Sequence, residues 1–537
     1  MVLLKLALRW EHSCYKLAKK LLAHVFLQYK TTTSNQRSAS GLQTVYPSVT
    51  ECSSSSNLEG QTIVCDDFHG TLLRAPDSLF PYFMLVAFEG GSLLRALLLL
   101  ALSPALCLLG KHEFGMRIMA FVTFCGLRTG DLRLITRTVL PKIFLENLHL
   151  QACEALKGRR AVVLTTLPRL MVEGFLKEYL EVGEVVGAEL QVVKGCYFTG
   201  VISWPDKQRA LRDMVKAGAA IVNLSNVHHH HLLAKEIYVV REEESRSESS
   251  KMPRNKYPKP LVFHDGRLAF LPTPCEMMAF FMWIPMAIPL AVFRIAMGIV
   301  FPYKISIFIA AVTGIRFRRA GDGKANGEKK GVVYVCTHRT LLDPVMLCSA
   351  LERTVPAVTY SLSRVSEALA PMRTVRLTRD RGRDAATMRR LLAVEGGLAV
   401  CPEGTTCREP YLLRFSPLFA EVAEEVVPVA LDARVGMLYG TTASGHKWLD
   451  PVVFMMNPTP GYEVHILPPV RPREMTTGEE GWSAAEVANR IQKQLAEKLG
   501  FECTALTRRD KYMMLAGNEG VAAPMHRREH EKQPTDQ

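Results

Sequence analysis

The distribution of apolar residues singles out two segments that are too hydrophobic for loops. The first, residues 80–109, includes the run ALLLLALSPALCLL but is interrupted by Glu89, Arg95 and Pro104. Its uninterrupted part is shorter than the roughly 20 apolar residues with which a helix crosses a bilayer. Taken alone, this segment predicts either a marginal membrane span or a buried core helix.

The second segment covers residues 277–315 and contains no charged residue before Arg294. Pro285, Pro289 and Pro302 would break a simple spanning helix into shorter pieces, so a buried core helix is again the alternative. A basic flank comes next, which is typical of the cytoplasmic side of a membrane segment; it consists of Arg316, Arg318 and Arg319. The two segments together favour an integral or membrane-embedded protein.

A different pattern begins after the glycine- and lysine-rich connector at residues 321–331. The runs GVVYVC and VVPVAL have the length and composition of buried strands. TVRLTRDRGRDAATMRRLL combines a short strand with an amphipathic helix. Strands that alternate with helices predict an α/β domain in this part of the chain.

The N-terminal residues give less specific predictions. Residues 1–26 mix apolar residues with lysines but lack a long apolar core and a small-residue cleavage site, so we expect no cleaved signal peptide. An amphipathic helix lying on a membrane and a helix docked on its own protein are equal alternatives. Residues 31–57 are rich in serine and threonine and predict a flexible linker.

Composition limits the domain count, the partners and the compartment. At 537 residues the chain is too long for one hydrophobic core, so two or more domains are expected. The net charge of +14 favours an anionic partner such as a lipid surface, a phosphorylated substrate or nucleic acid. The 13 cysteines form no Cys-x-x-Cys pair, which predicts free thiols in a reducing compartment.

His338 and Asp343 flank the turn between the strand GVVYVC and an apolar helix. Such a turn can set a carboxylate against one imidazole nitrogen and leave the other nitrogen facing a cleft, as a general base requires. The alternative is an ordinary loop histidine beside an aspartate that caps a helix. The next segments of the chain favour catalysis, with His338 as the base and Asp343 as the residue that orients it.

Candidate substrate-binding residues lie in the next two segments. GGLAVCPEGTTCREP is an apolar strand that opens into a glycine- and threonine-rich turn, and such turns present backbone N–H groups to anions. Arginines placed at strand ends suit a phosphate or a carboxylate. The predicted substrate-binding residues are Arg376, Arg381, Glu403, Gly404, Thr405 and Arg408.

These segments resemble, in order, the four sequence blocks of the glycerolipid acyltransferase superfamily. The blocks are His338-x4-Asp343, the arginine-bearing strand, PEGTTCREP and VPVAL, and their residues are similar to those of the land-plant glycerol-3-phosphate acyltransferases. The resemblance extends to PYFMLVAFEGGSLLRALLLL and to RRDKYMMLAGNEG. Cys401 and Thr406 replace a phenylalanine and an arginine of the superfamily, and Arg408 is the candidate substitute for that guanidinium.

The resemblance implies transfer of an acyl group from acyl-coenzyme A, which is a co-substrate, to a hydroxyl of glycerol 3-phosphate. The implied position is the middle hydroxyl, the implied product is lysophosphatidic acid, and the implied destination is an extracellular polyester such as cutin or suberin. Membrane lipid is the implied environment, on the endoplasmic reticulum with the active site facing the cytosol. We expect no cofactor, no catalytic metal and no nucleic-acid partner.

The segment VCDDFHGTLL resembles the nucleophile loop of haloacid-dehalogenase-type phosphatases, in which Asp-x-Asp precedes Gly-Thr-Leu. By this resemblance, Asp67 keeps the nucleophile position, whereas His69 replaces the general acid. Thr165 or Thr166 matches the hydroxyl that contacts phosphate, and Lys207 suits the phosphate-binding lysine. This part of the chain is therefore expected to share the Rossmann-like α/β fold of such phosphatases.

The expected magnesium-binding acids of this phosphatase site are missing from the sequence. Asn223 and Val227 stand where the two acids would be. Loss of the general acid together with the metal carboxylates predicts a catalytically inactive domain retained as a scaffold. The run His228–His231 is interpreted as a polar loop, because consecutive side chains point in different directions and rarely converge on one ion.

The sequence leaves two alternative functions open. One is a working lipid phosphatase in the N-terminal half, and the other is a non-catalytic membrane scaffold. The favoured interpretation divides the chain into an amphipathic segment with a linker (1–57), a haloacid-dehalogenase-like domain (58–265) with an apolar insertion (80–109), a hydrophobic membrane-associated region (266–320), an acyltransferase α/β domain (321–505) and a polar tail (506–537).

Overall fold

The computed structural model of the chain describes residues 46–54, 61–74, 78–109, 113–206, 209, 212, 221–225, 236–321, 331–360, 362–443, 445–477 and 481–518. The predictions for the amphipathic N-terminus, Lys207, Val227 and the run His228–His231 concern residues outside these ranges.

The N-terminal half is built on a six-stranded sheet of order β4-β3-β2-β1-β5-β6. Only β4 runs antiparallel to its neighbour, β3. The central strand is buried along its whole length, as expected for a parallel strand covered on both faces. The strands are β1 (Thr62–Cys65), β2 (Ala161–Pro168), β3 (Glu184–Val193), β4 (Tyr197–Ser203), β5 (Ile221–Ser225) and β6 (Glu236–Val239).

The helices of this half are α1 (Val49–Ser54), α2 (Phe80–Glu89), α3 (Leu93–Leu109), α4 (Glu113–Phe124), α5 (Thr129–Thr138), α6 (Leu140–Glu146), α7 (Leu150–Leu156), α8 (Arg169–Tyr179) and α9 (Glu242–Arg246). The first of them lies inside the segment predicted as a flexible linker. Val49 and Cys52, one turn apart, are fully buried where α1 packs against α7. Residues 49–54 of the predicted linker are therefore part of the domain.

The apolar segment 80–109 forms two helices, and neither has the length of a membrane span. The break between them is a turn in which Gly91 adopts a φ of +83°, a conformation that favours glycine. α2 is buried almost throughout in the domain core, whereas α3 leaves several leucines exposed. α2 therefore fits the interpretation as a buried core helix. α3 differs from it, because its exposed leucines form an apolar surface.

The C-terminal half contains a seven-stranded sheet of order β10-β9-β11-β8-β13-β14-β7, in which only β13 and β14 pair antiparallel. A short parallel pair, β12 and β15, lies apart from it. The strands are β7 (Arg316–Ala320), β8 (Val332–Cys336), β9 (Ala357–Thr359), β10 (Thr374–Arg376), β11 (Gly397–Val400), β12 (Tyr411–Leu412), β13 (Glu425–Arg434), β14 (Gly461–Ile466) and β15 (Glu502–Cys503).

Ten helices among the described residues belong to this half. They are α10 (Pro274–Val300), α11 (Tyr303–Val312), α12 (Asp343–Leu351), α13 (Arg364–Ala368), α14 (Arg381–Glu395), α15 (Leu418–Val422), α16 (Asp450–Met455), α17 (Pro472–Thr477), α18 (Ala484–Leu499) and α19 (Arg508–Ala516). Strands and helices thus alternate as the apolar pattern predicts.

Helix α10 is the one helix within the described ranges that is long and apolar enough to cross a membrane by length and composition, with 27 residues and a mean hydropathy of 1.8. Pro285 and Pro289 lie inside it on its exposed side, so the expectation that they break the helix is wrong. Pro302 does separate it from α11. One stripe of α10 packs on the protein through Met277, Phe280, Trp283, Ala287, Ala291 and Arg294.

The two halves share a buried connecting segment at residues 261–273. Phe263 and Leu268 of this segment are buried. Arg267 donates to Asp450 Oδ1 at 2.6 Å, and its backbone N–H donates to Glu89 Oε1 at 2.7 Å. The predicted domain boundary at residue 265 therefore falls within a segment that contacts both halves.

Candidate active site

The candidate active site forms where strand β8 ends and helix α12 begins. Thr337 and His338 directly follow the fully buried strand β8 and lie at its carboxyl end. Helix α12 starts at Asp343 with a proline in its first turn, which is a favourable start for a helix. His338 Nδ1 lies 2.9 Å from Asp343 Oδ2. The structure thus brings together the two residues predicted as base and orienting carboxylate.

Asp343 is fully buried and accepts hydrogen bonds on both oxygens. Its Oδ2 accepts from the backbone N–H groups of Arg339 at 2.6 Å and Thr340 at 3.0 Å. Its Oδ1 accepts from the hydroxyl of Tyr462, which also lies 2.6 Å from Thr340 Oγ1. Because these donors fix the orientation of the carboxylate, Oδ2 of Asp343 is placed to accept a hydrogen bond from the Nδ1–H of His338.

Tyr462 is a residue of this site that sequence reasoning missed. It lies on β14, more than a hundred residues after Asp343, and no local motif marks it. Burial raises the pKa of the Tyr462 hydroxyl well above its ordinary value, so the phenol stays protonated and acts as a donor.

Glu403 ties the glycine-rich turn to His338. Its Oε1 accepts from the His338 N–H at 2.7 Å, and its Oε2 accepts from the Leu413 N–H at 2.9 Å. Burial raises the pKa of this carboxyl group. Glu403 therefore fixes the backbone at His338 and Leu413, and both of its carboxylate oxygens already accept a hydrogen bond.

Gly404 lines the same cavity as His338 and has a φ of +67°, which favours glycine. Its N–H already donates to the Cys401 carbonyl oxygen at 3.1 Å. The Gly404 N–H is therefore not available for the predicted oxyanion-binding role.

An apolar cavity of about 260 Å³ opens beside His338. It runs between helix α10, the start of α12 and the strands β9 and β11. Its walls include Ile295, Ile299, Leu342, Val345, Val358, Met372, Leu377, Met388, Val400, Phe419 and Met455. An apolar cavity with one titratable pair at its edge suits a long hydrocarbon chain attached to a reactive group.

The three predicted arginines do not meet at the cavity. Arg376 Nη2 donates to Glu367 Oε2 at 3.0 Å on the protein surface. Arg381 is exposed and pairs with Glu421. Both side chains already have carboxylate partners, and neither belongs to the cavity lining.

Arg408 is not brought to the cavity. Its guanidinium is buried, donates to the Gly266 carbonyl oxygen at 2.7 Å, and lies 3.9 Å above the ring of Tyr439. It also lies 2.9 Å from His264 Nδ1. Arg408 therefore holds the connecting segment against the C-terminal half, which its position in the sequence motif did not indicate.

Arg379, between Arg376 and Arg381 in the chain, lies beside a residue of the cavity wall. It adopts a φ of +69°, unusual for a residue with a side chain, and its N–H donates to the buried carboxylate of Asp384 at 2.9 Å. Its guanidinium lies 5.8 Å from the ring centre of Tyr360, a residue of the cavity wall. Sequence reasoning did not select this arginine.

Cys401 completes a group of possible metal ligands with His338 and Asp343. The three ligand atoms lie within 4.8 Å of one another. Burial raises the pKa of the Cys401 thiol well above its ordinary value, and the oxygens of Asp343 already accept hydrogen bonds. These features favour a histidine-aspartate pair beside a neutral thiol over a metal centre.

The second candidate site lies at the end of β1. Asp67 Oδ1 accepts from the Thr166 hydroxyl at 3.1 Å, and Asp67 Oδ2 accepts from the Gly70 N–H at 3.1 Å. Of the two threonines considered, Thr166 is the one that faces Asp67. Thr165 is fully buried, and its hydroxyl accepts from the Leu167 N–H.

His69 is buried with its ring edge-on to Tyr82, at a distance of 5.6 Å between the ring centres. A side chain held in the core in this way does not reach out to a bound phosphate ester. Asn223 lies on β5, the strand next to β1, and pairs in register with Val64. The positions predicted for the general acid and the first metal ligand are thus occupied by a buried imidazole and an amide residue.

Comparison with known proteins gives matches to two family models. Residues 62–240 match the model described as "Glycerol-3-phosphate acyltransferase RAM2-like, HAD-like domain", and residues 312–435 match the model described as "Acyltransferase". The two matches confirm the predicted combination of a haloacid-dehalogenase-like domain with an acyltransferase domain.

Similar curated proteins align over most of the chain. Glycerol-3-phosphate acyltransferase 1 of Arabidopsis thaliana is 46% identical, over 95% of this chain and 96% of that protein. Probable glycerol-3-phosphate acyltransferase 3 of the same plant is 45% identical, over 87% and 92%. Glycerol-3-phosphate acyltransferase RAM2 of Petunia hybrida is 43% identical, over 84% and 96%. These relatives confirm the resemblance inferred from the sequence blocks.

Solved structures show weaker likeness to each half. A phosphoserine phosphatase with a phospho-aspartyl intermediate analogue is 16% identical, covers 30% of this chain and 77% of that one, and gives a TM-score of 0.22. The lysophosphatidic acid acyltransferase PlsC of Thermotoga maritima is 16% identical, covers 41% and 92%, and gives 0.26. Likeness at TM-scores this low supports no conclusion about the chemistry of either half.

Proposed function

The chain belongs to the plant glycerol-3-phosphate acyltransferase family, and from this premise we propose that it transfers an acyl group from acyl-coenzyme A to glycerol 3-phosphate. The observation that carries the proposal is the His338–Asp343 pair at the edge of an apolar cavity. The acyl chain would occupy the cavity, and the thioester carbonyl would lie beside the imidazole.

The proposed reaction needs no covalent enzyme intermediate. Asp343 accepts a hydrogen bond from the Nδ1–H of His338 and so holds the proton on that nitrogen, which leaves Nε2 as the base. Nε2 removes the proton from the glycerol hydroxyl while that oxygen attacks the thioester carbon. The C–S bond then breaks, and the imidazolium returns its proton to the leaving thiolate. Donors of the turn at Thr405 would stabilise the transient oxyanion, an effect usually worth about 2.7–4 kcal/mol.

The family premise also supports finer proposals about the product. We propose lysophosphatidic acid acylated at the middle hydroxyl, used for an extracellular polyester such as cutin or suberin. We propose that the N-terminal domain leaves the phosphate in place, because His69 is a buried residue and Asn223 stands where a metal-binding acid is expected.

We propose that α10 lies along a membrane surface. Its buried stripe spans Met277 to Arg294, about 26 Å of helix, so the helix and the domain beneath it share one orientation. Arg294 is fixed to the domain by hydrogen bonds to the carbonyl oxygens of Met455 and Asn457 at 2.5 and 2.7 Å. A perpendicular α10 would draw this polar body into the bilayer core.

The opposite side of α10 suits lipid. It exposes Met286, Ile288, Val292, Phe293, Ile299 and Val300, and α11 adds Ile305 and Phe308. The edge strand β7 comes next with three arginines, of which Arg318 has an 81% exposed side chain, and such residues attract anionic headgroups. Because α10 also forms a wall of the cavity, acyl chains would reach His338 from the membrane. The endoplasmic reticulum, with the site facing the cytosol, remains our proposed location.

The function is tested with the full chain in lipid vesicles, acyl-coenzyme A and glycerol 3-phosphate. Wild type is expected to release coenzyme A and form lysophosphatidic acid. His338→Ala removes the base and is expected to lower turnover at least about 100-fold, and Asp343→Asn is expected to lower it strongly because the imidazole loses its orienting carboxylate. Folding is controlled by thermal unfolding. A wild type without coenzyme A release from any acyl donor would support the scaffold alternative.

The membrane proposal is tested by impermeant thiol labelling of sealed vesicles, read by mass spectrometry. An in-plane α10 predicts labelling of Cys275, near its start, and of a Lys304→Cys variant, just after its end, from the same side. Labelling of only one of the two positions would show that the helix spans. The double variant Val292→Lys/Phe308→Lys is expected to lower vesicle binding, whereas Val394→Lys, at a 74% exposed valine on α14, serves as the control.

A further inference from the structure

The C-terminal helix α19 places a buried lysine against the turn that comes after Glu403. Lys511 is 7% exposed. Its ammonium lies 3.4 Å from Thr405 Oγ1 and 3.2 Å from Thr406 Oγ1, and it donates to the Thr406 carbonyl oxygen at 2.5 Å. These three acceptors are uncharged, and their number equals the number of donors on an ammonium group.

Stability alone does not account for a charge in this place. Transfer of an ammonium from water into a protein interior costs several kcal/mol, and an apolar side chain of similar volume often replaces a buried charge without loss. Burial accordingly lowers the pKa of Lys511. The ammonium offers one property that an apolar residue lacks, which is the ability to fix three oxygen atoms of the turn.

The same turn is fixed from its other side by Glu403. That carboxylate accepts from the N–H groups of His338 and Leu413 at 2.7 and 2.9 Å. Gly404, between the two clamps, lines the cavity beside His338. The turn is thus held between the catalytic histidine and the C-terminal helix.

We propose that Lys511 is a positioning residue of the acyltransferase site, which sets the turn of residues 403–406 so that its donors face the reacting thioester carbonyl. The inference rests on the proposed acyltransferase function. It assigns a role to the segment RRDKYMMLAGNEG, which lies far beyond the four catalytic sequence blocks.

The N-terminal half supports this positioning helix. α19 packs against α5 of that half. Leu515 of α19 is buried in a small core with Phe263 of the connecting segment and Cys407 of the turn region. The N-terminal domain thereby contributes to the acyltransferase site through α19, without supplying a group that reacts.

The test compares Lys511→Met with Lys493→Met in the full chain. Lys493→Met makes the same chemical change at a lysine that forms an exposed ion pair with Glu497 on α18. Because misplacement of a site by about 1 Å can cost about 100-fold, Lys511→Met is expected to lower kcat by about 10- to 100-fold, with KM for both substrates within about threefold of wild type. Lys493→Met is expected to retain wild-type kcat and KM. A Lys511→Met kcat within about twofold of wild type would overturn the proposal.

A double-mutant cycle separates positioning from general folding. Thr406→Val removes one hydroxyl held by Lys511 and is expected to lower kcat severalfold in a protein with unchanged thermal unfolding. Combined with Lys511→Met it should add little, since coupled residues are not additive. Full additivity would contradict action through this hydroxyl. If Lys511→Met does not fold, Thr406→Val alone decides, and unchanged kcat in that variant overturns the inference.

The outcomes also distinguish this inference from the proposed function. If wild type uses an acceptor other than glycerol 3-phosphate, the acceptor assignment fails, but coenzyme A release still reports the effect of Lys511→Met. If wild type releases coenzyme A and Lys511→Met releases it equally fast, the positioning role fails and the proposed function stands.

Discussion

Single residues show how a buried carboxylate organises the acyltransferase site. Asp343 lies between His338, two backbone N–H groups and the Tyr462 hydroxyl. Each donor removes part of the penalty for burying the charge, and together they fix the direction in which the carboxylate faces His338. A side chain with fewer acceptor oxygens would leave some of these donors unpaired, so the two oxygens of Asp343 match the donors around them.

Arg379 gives a test at this scale. Its backbone is held by the Asp384 carboxylate and its guanidinium lies over Tyr360 of the cavity wall. We expect Arg379→Ala to raise KM for glycerol 3-phosphate by about tenfold or more, because a guanidinium–phosphate contact is a charge-assisted hydrogen bond worth about 1.5–3 kcal/mol. KM for acyl-coenzyme A should change much less.

The matched controls are the two neighbouring arginines predicted from sequence. Arg376→Ala and Arg381→Ala remove guanidinium groups that already pair with Glu367 and Glu421, so smaller effects on the acceptor KM are expected. Initial rates over a grid of both substrate concentrations provide the measurement. A larger effect of Arg381→Ala would contradict the assignment to Arg379 and would support Arg381, predicted from the sequence, as the residue that binds the acceptor phosphate.

The residues that could be predicted are those marked by short spacings. His338 and Asp343 are five positions apart, and one turn brings them together. Tyr462, Lys511 and Arg408 act across distances of more than a hundred residues along the chain, so only the folded topology reveals their partners. Local patterns specify local geometry, and they do not specify which distant element packs on a turn.

At the scale of elements, the start of helix α7 links stability to pH. His149 is its N-cap, is 1% exposed, and accepts from the Ala152 N–H at 3.4 Å through Nδ1. Acceptance by Nδ1 requires the neutral imidazole, and burial lowers the pKa of His149 to about 4. The folded domain therefore holds a neutral histidine at pH values where the unfolded chain is protonated.

The sign of the pH effect is set by this difference. The unfolded imidazole takes up a proton near pH 6.5, so the stabilisation is complete above that pH and is lost as the pH falls towards 4. The loss is about 3 kcal/mol at most, at 1.36 kcal/mol per pKa unit. We expect His149→Asn, which keeps a capping side chain but does not titrate, to show a flatter pH dependence of thermal unfolding between pH 7.5 and 4.5. His446→Asn, at an exposed histidine, serves as the control and should keep the wild-type slope.

Secondary structure was predictable where period and length agreed. Strands β8, β11 and β13 correspond to short apolar runs that end in polar turns. The segments 80–109 and 277–315 were ambiguous, because a core helix and a membrane helix have the same composition. Their packing in the folded chain distinguishes the two helices. α2 is enclosed in the core, whereas α10 buries the residues along one side and exposes the apolar residues of its opposite side.

At the scale of the whole molecule, the two halves are joined by a polar and aromatic contact. Tyr439 of the C-terminal half lies between the Lys142 ammonium, 5.1 Å from its ring centre, and the Arg408 guanidinium at 3.9 Å. The connecting segment adds the Arg267–Asp450 ion pair. An N-terminal domain attached in this way has a structural role that does not depend on phosphatase chemistry, because α19 is packed against it.

The product of the reaction tests whether that chemistry is lost. A phosphatase of this type attacks phosphate with one carboxylate, protonates the leaving oxygen with a second, and neutralises the ester with magnesium. In this chain Asp67 is present, but His69 is buried against Tyr82, and Asn223 stands where the sequence predicts a metal-binding acid. Asp67→Asn is therefore expected to leave lysophosphatidic acid as the product at the wild-type rate.

Restoring one residue should not revive the phosphatase. His69→Asp would place a carboxylate in a core that is closed by the Tyr82 ring, where the acid cannot reach a leaving oxygen, and Asn223 would still leave the metal without a ligand. Mass-spectrometric product analysis of wild type, Asp67→Asn and His69→Asp decides the matter, with His338→Ala as the control that should abolish every acylated product. Monoacylglycerol formed by wild type but not by Asp67→Asn would show a working phosphatase, and the carboxylate alignment that assigns His69 to the acid position would then be wrong.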